Sequence, residues 1–196
     1  VLYWRNSDIN FNSLNNLVNS LEKKIDSQFL KRINDCEDEK TLKFFIKNNE
    51  IKKNENSKEF IEILWECCQI PDFSKKAYGN HIEVVKKVFE FLTSKSGKVT
   101  NDYMKKQLEY LDRYDGNIDT LTNRISNIRT WSYVANKRNW VDNSDYWVEA
   151  SKNIEDKLSD QLHEELTKSF IDKRISVLSR SLEQDIVLGT EIKNEN

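Results

Sequence analysis

Glycine and proline are scarce in this chain, and their scarcity is the strongest constraint on its fold. Among 196 residues there are four glycines and one proline. Sheet-rich folds need frequent turns, and these two residues make many of those turns. Apolar residues instead recur at intervals of three and four, which is the spacing of one helix face. The sequence therefore predicts an all-α fold, a helical bundle of about six to seven helices with one long C-terminal helix.

Apolar stripes and polar caps place the individual helices. Stripes fall at 14–25, 42–46, 60–68, 84–92, 100–111 and 121–135, and a last stripe follows 144. The residues predicted to cap helices are Ser13, Asn80, Asp119 and Ser144. The last stripe is expected to pack against the earlier helices, and it consists of Trp147, Ile154, Leu158, Leu162, Leu166, Phe170, Val177 and Leu178. The segment "DIVLGTEI" after Gln184 is more typical of a strand without partners.

Three segments are expected along the chain. Residues 1–56 form an N-terminal helical segment that ends in the polar connector "IKKNENSK", and residues 57–185 form the helical bundle. Residues 186–196 would begin a further segment. Because the chain starts at Val1 and ends in "KNEN", it is expected to be a piece of a longer protein.

The charge balance limits the partners. Lys plus Arg is 31 and Asp plus Glu is 33, for a net charge of -2, so any contact with nucleic acid must be a local patch. The three cysteines have no C-x-x-C spacing, which argues against a disulfide framework or zinc site. No apolar run is long enough for a membrane span. These features predict a cytoplasmic protein with no membrane partner.

Catalytic and cofactor motifs are incomplete. The pair Gly97-Lys98 lacks both the upstream glycine of a phosphate loop and the Ser or Thr that should follow the lysine. "HEEL" at 163–166 lacks the second histidine of a zinc protease, and "DRYDGNID" has the wrong charges for a calcium loop. "DEKT" at 38–41 resembles the magnesium-holding pair of helicases but is more typical of a solvated helix start. No catalytic residue, cofactor or metal is therefore assigned to this chain.

The histidines and cysteines are expected to be structural. His81 should be exposed near a helix cap, and His163 should lie at the edge of a helix–helix contact. Cys67 and Cys68 are expected to be small buried hydrophobes. The pair Asp115-Gly116 is interpreted as a turn.

One window lacks acidic residues, and it supplies most of the candidate binding residues. No Asp or Glu lies between Thr120 and Val141. Arginines can bind phosphates and a flat ring can stack on a base, so this helix could grip a single strand. Alternatively, Trp131 packs into the bundle and the arginines pair with carboxylates of the acidic segment 142–165. Periodicity alone favours this alternative. The candidate nucleic-acid contacts are Arg124, Arg129, Trp131, Lys137, Arg138, Arg174 and Arg180.

Several long stretches resemble one family. "DGNIDTLTNRISNIRTWSYVANKRNW", "IEDKLSDQLHEELTKSFIDKRISVLSRSL", "LWECCQIPDF" and "YWRNSDINF" closely resemble the C-terminal region of mitochondrial-degradosome-type RNA helicases of alpha-proteobacterial relatives. The resemblance implies a superfamily-two, DExH-type, ATP-dependent parent enzyme. Its ATPase lobes, with their ATP and magnesium, would lie upstream of Val1. The implied partners are single-stranded RNA, those ATPase lobes and a ribonuclease.

Three functions remain open at this point. The first is an accessory domain of an RNA helicase that guides a single strand and packs on the ATPase lobes. The second is a protein-docking module without nucleic-acid contact, because Trp and Arg are also common in interaction hot spots. The third is an independent hydrolase that uses carboxylates such as Glu164 and Glu165.

Overall fold

The computed structural model describes residues 2–33, 36–48, 57–74 and 78–194, and it describes 78–79 and 183–194 by their backbone alone. Seven helices and two short strands lie in these ranges, so the predicted all-α bundle with a long last helix is confirmed. The strands are β1 (Leu2–Trp4) and β2 (Leu30–Arg32). The helices are α1 (Leu14–Glu22), α2 (Glu37–Lys47), α3 (Lys58–Cys68), α4 (Tyr78–Leu92), α5 (Asn101–Leu111), α6 (Ile118–Asn136) and α7 (Ser144–Asn194). Most of the predicted connector, residues 51–56, lies outside the described residues.

Four helices, α1, α3, α5 and α6, begin after a side chain that accepts an orphan amide hydrogen. Ser13 accepts from the Asn16 amide at the start of α1, as predicted. Asn117 does the same for α6 by accepting from the Thr120 amide at 2.9 Å. The predicted cap Asp119 is therefore wrong, since the chain is already helical there. Asn80 is not a cap either, because α4 begins two residues before it.

A small parallel sheet joins the start of the first segment to residues 30–32. β1 and β2 pair in parallel, with Leu2 opposite Leu30 and Trp4 opposite Arg32. Parallel neighbours need a long crossover, and α1 lies within it. Three-residue strands have too little alternation to be recognised in a sequence, which is why only helices were predicted here.

A buried carboxylate joins this sheet to α2. Glu39 is 1% exposed, and Arg32 Nη2 donates to its Oε2 atom at 2.5 Å. Arg5 lies 3.5 Å from the other Glu39 oxygen, donates to Asp38 at 2.9 Å, and stacks over the Trp65 ring at 5.2 Å. Burial lowers the pKa of Arg5, but the hydrogen bond to Asp38 and the charges of Asp38 and Glu39 raise it by more. The expected solvated helix start is thus wrong for Glu39, because two arginines distant in sequence enclose it.

One apolar cluster runs through α1 to α7. Phe45 of α2, Phe60 of α3 and Phe89 of α4 make edge-to-face contacts, with ring centroids 5.1–6.4 Å apart. Met104 of α5 and Leu121 of α6 are fully buried in the same cluster. The core is therefore continuous from the N-terminal segment into the last two helices.

α6 and the first part of α7 form an antiparallel pair. The Ser144 hydroxyl, at the start of α7, donates to the Ala135 carbonyl near the end of α6. Further along, Arg129 of α6 bonds to Glu155 of α7. Because residue numbers rise on one helix as they fall on the other, the start of α6 meets α7 near residue 165. The Trp147 indole also donates to Asn101 at 2.9 Å, which ties α7 to α5.

The second part of α7 is not covered by the bundle. α7 has 51 residues and α6 has 19, so their lengths are about 76 Å and about 28 Å. Leu158 is fully buried, whereas Leu166 is 47% and Phe170 is 60% exposed. The predicted stripe was wrong from Leu166 onward, because the 19-residue α6 covers α7 only to about residue 165. We call residues 166–182 the arm.

The segment after Gln184 is helical. Backbone hydrogen bonds of α7 continue to Asn194, so the predicted unpaired strand is wrong. An isolated strand leaves its amide and carbonyl groups without partners, whereas a helix satisfies them within itself. Residues 195–196 lie outside the described residues.

The Arg5–Glu39–Arg32 cluster generates a stability prediction. Replacing Glu39→Gln leaves two partly buried guanidinium groups without their shared anion, so the free energy of unfolding should fall by about 3 kcal/mol. Glu37→Gln is the matched control, since Glu37 is 65% exposed on the same helix turn and pairs only with a surface lysine among the described residues. That control should cost less than about 0.5 kcal/mol. Urea unfolding measures both, and equal losses would contradict the role of Glu39.

Candidate nucleic-acid interface

The Arg124 side chain is hydrogen-bonded to the loop that precedes its own helix, α6. Its Nη1 atom donates to the carbonyl of Arg113 at 2.7 Å and to the carbonyl of Asp115. The Asp115 carboxylate lies 3.7 Å away, and the Arg124 side chain is 16% exposed. Gly116 occupies the turn with a φ of +121°, as the predicted Asp115-Gly116 turn requires. Arg124 therefore holds the α5–α6 loop and has little freedom to bind a phosphate.

Trp131 belongs to the core. It is 3% exposed and packs edge-to-face on Tyr103, with ring centroids 5.7 Å apart. A ring in this position cannot stack on a base, so the prediction that Trp131 forms a stacking platform is at odds with the structure. The alternative prediction, in which Trp131 packs into the bundle, agrees with it.

Arg129 is paired across the two long helices. Its Nε atom donates to Glu155 at 2.6 Å, and its side chain is 50% exposed. Glu155 lies in the acidic segment that the alternative prediction named as a source of partners. The window without acids in the sequence therefore has acids beside it in space, contributed by α7 and by the preceding loop.

Lys137 and Arg138 lie in the turn between α6 and α7. The Lys137 ammonium lies over the rings of Tyr133 and Trp140, at 5.3 and 5.7 Å from their centroids. Arg138 is exposed. Of the two, Arg138 is the residue better able to reach an external phosphate.

Arg174 and Arg180 lie on the arm and are exposed. Arg174 stacks over Phe170, with its Cζ atom 5.5 Å from the ring centroid. Lys173 is a third exposed cation on this part of α7. None of the three cations makes an ion pair within the part of the chain that the structure describes. The arm therefore carries accessible positive charge next to an exposed aromatic ring.

The structure does not bring the seven predicted residues together. Lys137 and Arg138 lie at one end of the α6–α7 pair, and Arg174 lies about 45 Å away along the axis of α7. Arg124, Arg129 and Trp131 lie between them and have internal partners. A common site for one nucleotide is excluded in this arrangement.

Phe170 and Lys173 were missed as binding candidates. The sequence analysis assigned Phe170 to the buried stripe, and it counted Lys173 in the basic stretch of the last helix but not among the binding residues. Helix length could have identified both, because an antiparallel helix of 19 residues cannot cover a helix more than twice as long. Residues 170–182, beyond the start of α6, are all exposed.

Two cavities lie beside α6, and neither of them forms a site for a polyanion. The larger groove, about 650 Å³, lies where α6 begins and contains three carboxylates, Asp119, Glu165 and Asp172, against the two lysines Lys168 and Lys173. Glu165 is bonded to Lys168 at 2.8 Å. A smaller polar crevice of about 80 Å³ lies between α4 and α6 beside His81, well below the size of ordinary ligand pockets. Neither cavity resembles a nucleotide or strand-binding channel.

The histidines differ from their predicted positions. His81 is 8% exposed, so the expectation that it is exposed is wrong, and His163 lies on the exposed side of α7. Burial lowers the pKa of His81, while the charges of Asp72 and Glu37 and a hydrogen bond to the Ile70 backbone act in the opposite direction.

The cysteines of α3 are buried, as predicted. Cys67 is 0% and Cys68 is 1% exposed, and burial raises the pKa of both thiols well above their usual range. Within the described residues there is no group of three or more His, Cys, Asp or Glu that could hold a metal ion. The thiols are therefore packing groups at neutral pH.

Comparisons of the chain with family models, with curated proteins and with solved structures found no match. The resemblance to degradosome-type RNA helicases stays a prediction based on the quoted stretches. Among the residues that the structure describes, no helix has the length and apolar character needed to cross a bilayer.

The buried imidazole predicts a pH dependence. Since the pKa of His81 is lowered by folding, the unfolded chain binds this proton more tightly, and stability should decrease as the pH falls through about 6.5. The melting temperature of the wild type should therefore fall more between about pH 7.5 and about pH 5.5 than that of His81→Gln. His163→Gln, the only other histidine, is the control and should behave like the wild type. Parallel pH profiles for wild type and His81→Gln would refute this assignment.

Proposed function

We propose that this chain is an accessory helical domain of an ATP-dependent RNA helicase, without catalytic groups of its own, and that it guides a single RNA strand along the arm of α7. The observation that carries the proposal is the exposed Phe170 ring with cations on both sides of it. The resemblance described above supports the helicase context. ATP hydrolysis is assigned to the ATPase lobes of the parent enzyme.

The cations of the arm are arranged along the helix axis. At 1.5 Å and 100° per residue, Lys173 and Arg180 lie on the same side of the helix, about 10 Å apart. Arg174 lies on the other side of Phe170. A strand that runs along this face could stack one base on the Phe170 ring while its phosphates approach the three cations. Such contacts add affinity without reading base sequence.

The charge distribution is compatible with this role. Between Leu166 and Leu182 there are four basic residues and one acidic residue, although the whole chain has a net charge of -2. In the earlier part of α7, by contrast, Glu155 neutralises Arg129. A polyanion should therefore be attracted to the arm and not to the α6 helix that the sequence first suggested.

A second candidate function is protein docking, including packing on the ATPase lobes or on a ribonuclease. The observation that favours it is the exposure of seven large apolar side chains on the arm. They are Leu166, Phe170, Ile171, Ile175, Val177, Leu178 and Leu182. Single exposed apolar residues are common, but neighbouring ones that form a stripe or patch usually mark an interaction surface. The two functions can use different faces of the same helix.

RNA binding tests the first function. Anisotropy of a labelled oligouridylate should show binding by the chain at low salt. The double variant Arg174→Ala/Arg180→Ala should lower the slope of log affinity against log salt by about 1.4, which corresponds to two lost phosphate contacts on a single strand. Phe170→Ala should weaken binding by about 1–3 kcal/mol and leave that slope unchanged.

Two controls separate Lys173, Arg174 and Arg180, cations without an ion pair among the described residues, from basic residues that already have a carboxylate partner. Lys168→Ala removes a cation of the same helix that is bonded to Glu165, and Arg129→Ala removes one that is bonded to Glu155. Neither should change the salt slope. Loss of binding in the controls but not in the Arg174→Ala/Arg180→Ala and Phe170→Ala variants would place the RNA site elsewhere, and no binding by the wild type would leave docking as the function.

A further inference from the structure

The exposed apolar residues of the arm form two separate stripes. At 100° per residue, Ile171, Ile175, Leu178 and Leu182 fall within about 60° of one another. Leu166, Phe170 and Val177 fall within about 40° of one another, on a face about 130° away. We call the first set the aliphatic stripe. It contains no aromatic residue, and its four side chains are 49–63% exposed.

The aliphatic stripe has the spacing of a helix–helix seam. Its steps are four, three and four residues, which is the a/d pattern of a heptad repeat. The stripe lies about 120° around α7 from the buried residues Trp147 and Leu158, so a second helix placed on it would not collide with α6. A helical segment of this length is marginal in water without a partner. The aliphatic stripe is therefore suited to one further helix.

We propose that the aliphatic stripe is a dimer interface in which the α7 helices of two copies of this chain pack antiparallel. The spacing four, three, four reads the same in both directions. A twofold axis between Ile175 and Leu178 therefore sets Ile171 against Leu182 of the second copy, and Ile175 against Leu178 of the second copy. Every layer then pairs one isoleucine with one leucine. This is the self-complementary arrangement that a twofold interface requires.

The charges beside the stripe favour the antiparallel direction. Lys168 lies three residues before Ile171 and continues the a/d spacing of the stripe. In a parallel pair it would face Lys168 of the second copy. In the antiparallel pair these two lysines lie at opposite ends of the contact. The flanking charges also find neutral neighbours, since Asp172 lies opposite Ser179 of the second copy and Arg174 lies opposite Ser181. The antiparallel pair thus places no like charges opposite each other within 171–182.

The expected interface is small but sufficient for a weak dimer. An aliphatic side chain has roughly 100 Å² of apolar surface, and about half of it is exposed here. Eight such side chains and the residues that flank them would bury on the order of 1,000 Å² in total, near the lower limit for specific interfaces. We therefore expect association in the micromolar range. Phe170, Lys173 and Arg180 lie outside this pairing and Arg174 only flanks it, so the pairing goes beyond the proposed RNA contact and does not depend on it.

Neighbouring residues provide a matched pair of variants. Leu178 and Val177 are each 62% exposed, but only Leu178 lies on the aliphatic stripe. Sedimentation equilibrium of the 196-residue chain should show a dimer that forms across the micromolar range. Leu178→Lys should weaken dimerisation at least about tenfold, because an unpaired ammonium group would be buried among aliphatic side chains. Val177→Lys should change the dissociation constant by less than about threefold.

Three results of this measurement would overturn the proposal. They are a wild-type chain that stays monomeric throughout that range, equal effects of the two substitutions, and a dimer insensitive to Leu178→Lys. If the wild type stays monomeric while a different polypeptide binds the aliphatic stripe, the second copy is excluded as the occupant. Circular dichroism of both variants shows whether either substitution unfolds the helix.

Cross-linking tests the direction of the pair. In a Cys36→Ser background, which removes the one cysteine of the chain that is not fully buried, Ile175→Cys and Leu178→Cys proteins are prepared separately and then mixed. The antiparallel layer predicts that the mixture forms an intermolecular disulfide faster than either protein alone. Faster disulfide formation by the separate proteins would instead show a parallel pair and contradict the proposal.

Discussion

The buried seam between α6 and the first part of α7 decides which of the candidate nucleic-acid contacts on these two helices can reach solvent. Leu121, Ile128 and Leu158 are fully buried in it, and the Arg129–Glu155 pair closes its edge. Side chains that face the seam are removed from solvent, and the cations beside it are neutralised by the opposite helix. Because α6 ends its coverage near residue 165, the same seam also fixes the point beyond which α7 must find its own neighbours. The proposed RNA contact is therefore placed on the uncovered part of α7 and not on α6, the helix with the window that lacks acidic residues.

Much of the fold could be predicted because its determinants are local. The stripes of α3, α5 and α6 repeat at helical spacing, and Ser13 and Thr100 each cap a helix by accepting from the amide three residues further along the chain. The predictions that were wrong concern residues whose burial depends on partners distant in sequence. Glu39 is buried because Arg5 and Arg32 come to it through the β1–β2 pair, and no pattern around residue 39 reports this. Likewise, the burial of an apolar stripe on α7 depends on the length of α6. The residue pattern within α7 carries no information about that length.

The candidate site was less predictable than the fold for the same physical reason. A window without acids suggests a basic surface only if no acid arrives from another element, and Glu155 and Asp115 both do. Trp131 was assigned correctly only in the packing alternative, since an aromatic residue on a stripe shoulder can face either the core or solvent. Arg174 and Arg180 remained accessible because they lie beyond the reach of α6. Comparing the lengths of two paired helices was therefore more informative than the local charge pattern.

The uninterrupted backbone of α7 has a mechanical consequence. Sharp helix kinks arise mainly at proline, at paired small residues or at inserted turns, and no proline or glycine occurs between Ser144 and Leu182. The anchored part, held by Trp147 and Leu158, and the free part are thus one stiff rod. A molecule that binds near Leu182 is held about 24 Å beyond Leu166. Its orientation is set by the anchored part of α7 in the core. A small rotation of α7 within the seam would therefore displace the residues near Leu182 by a larger distance than those near Leu158.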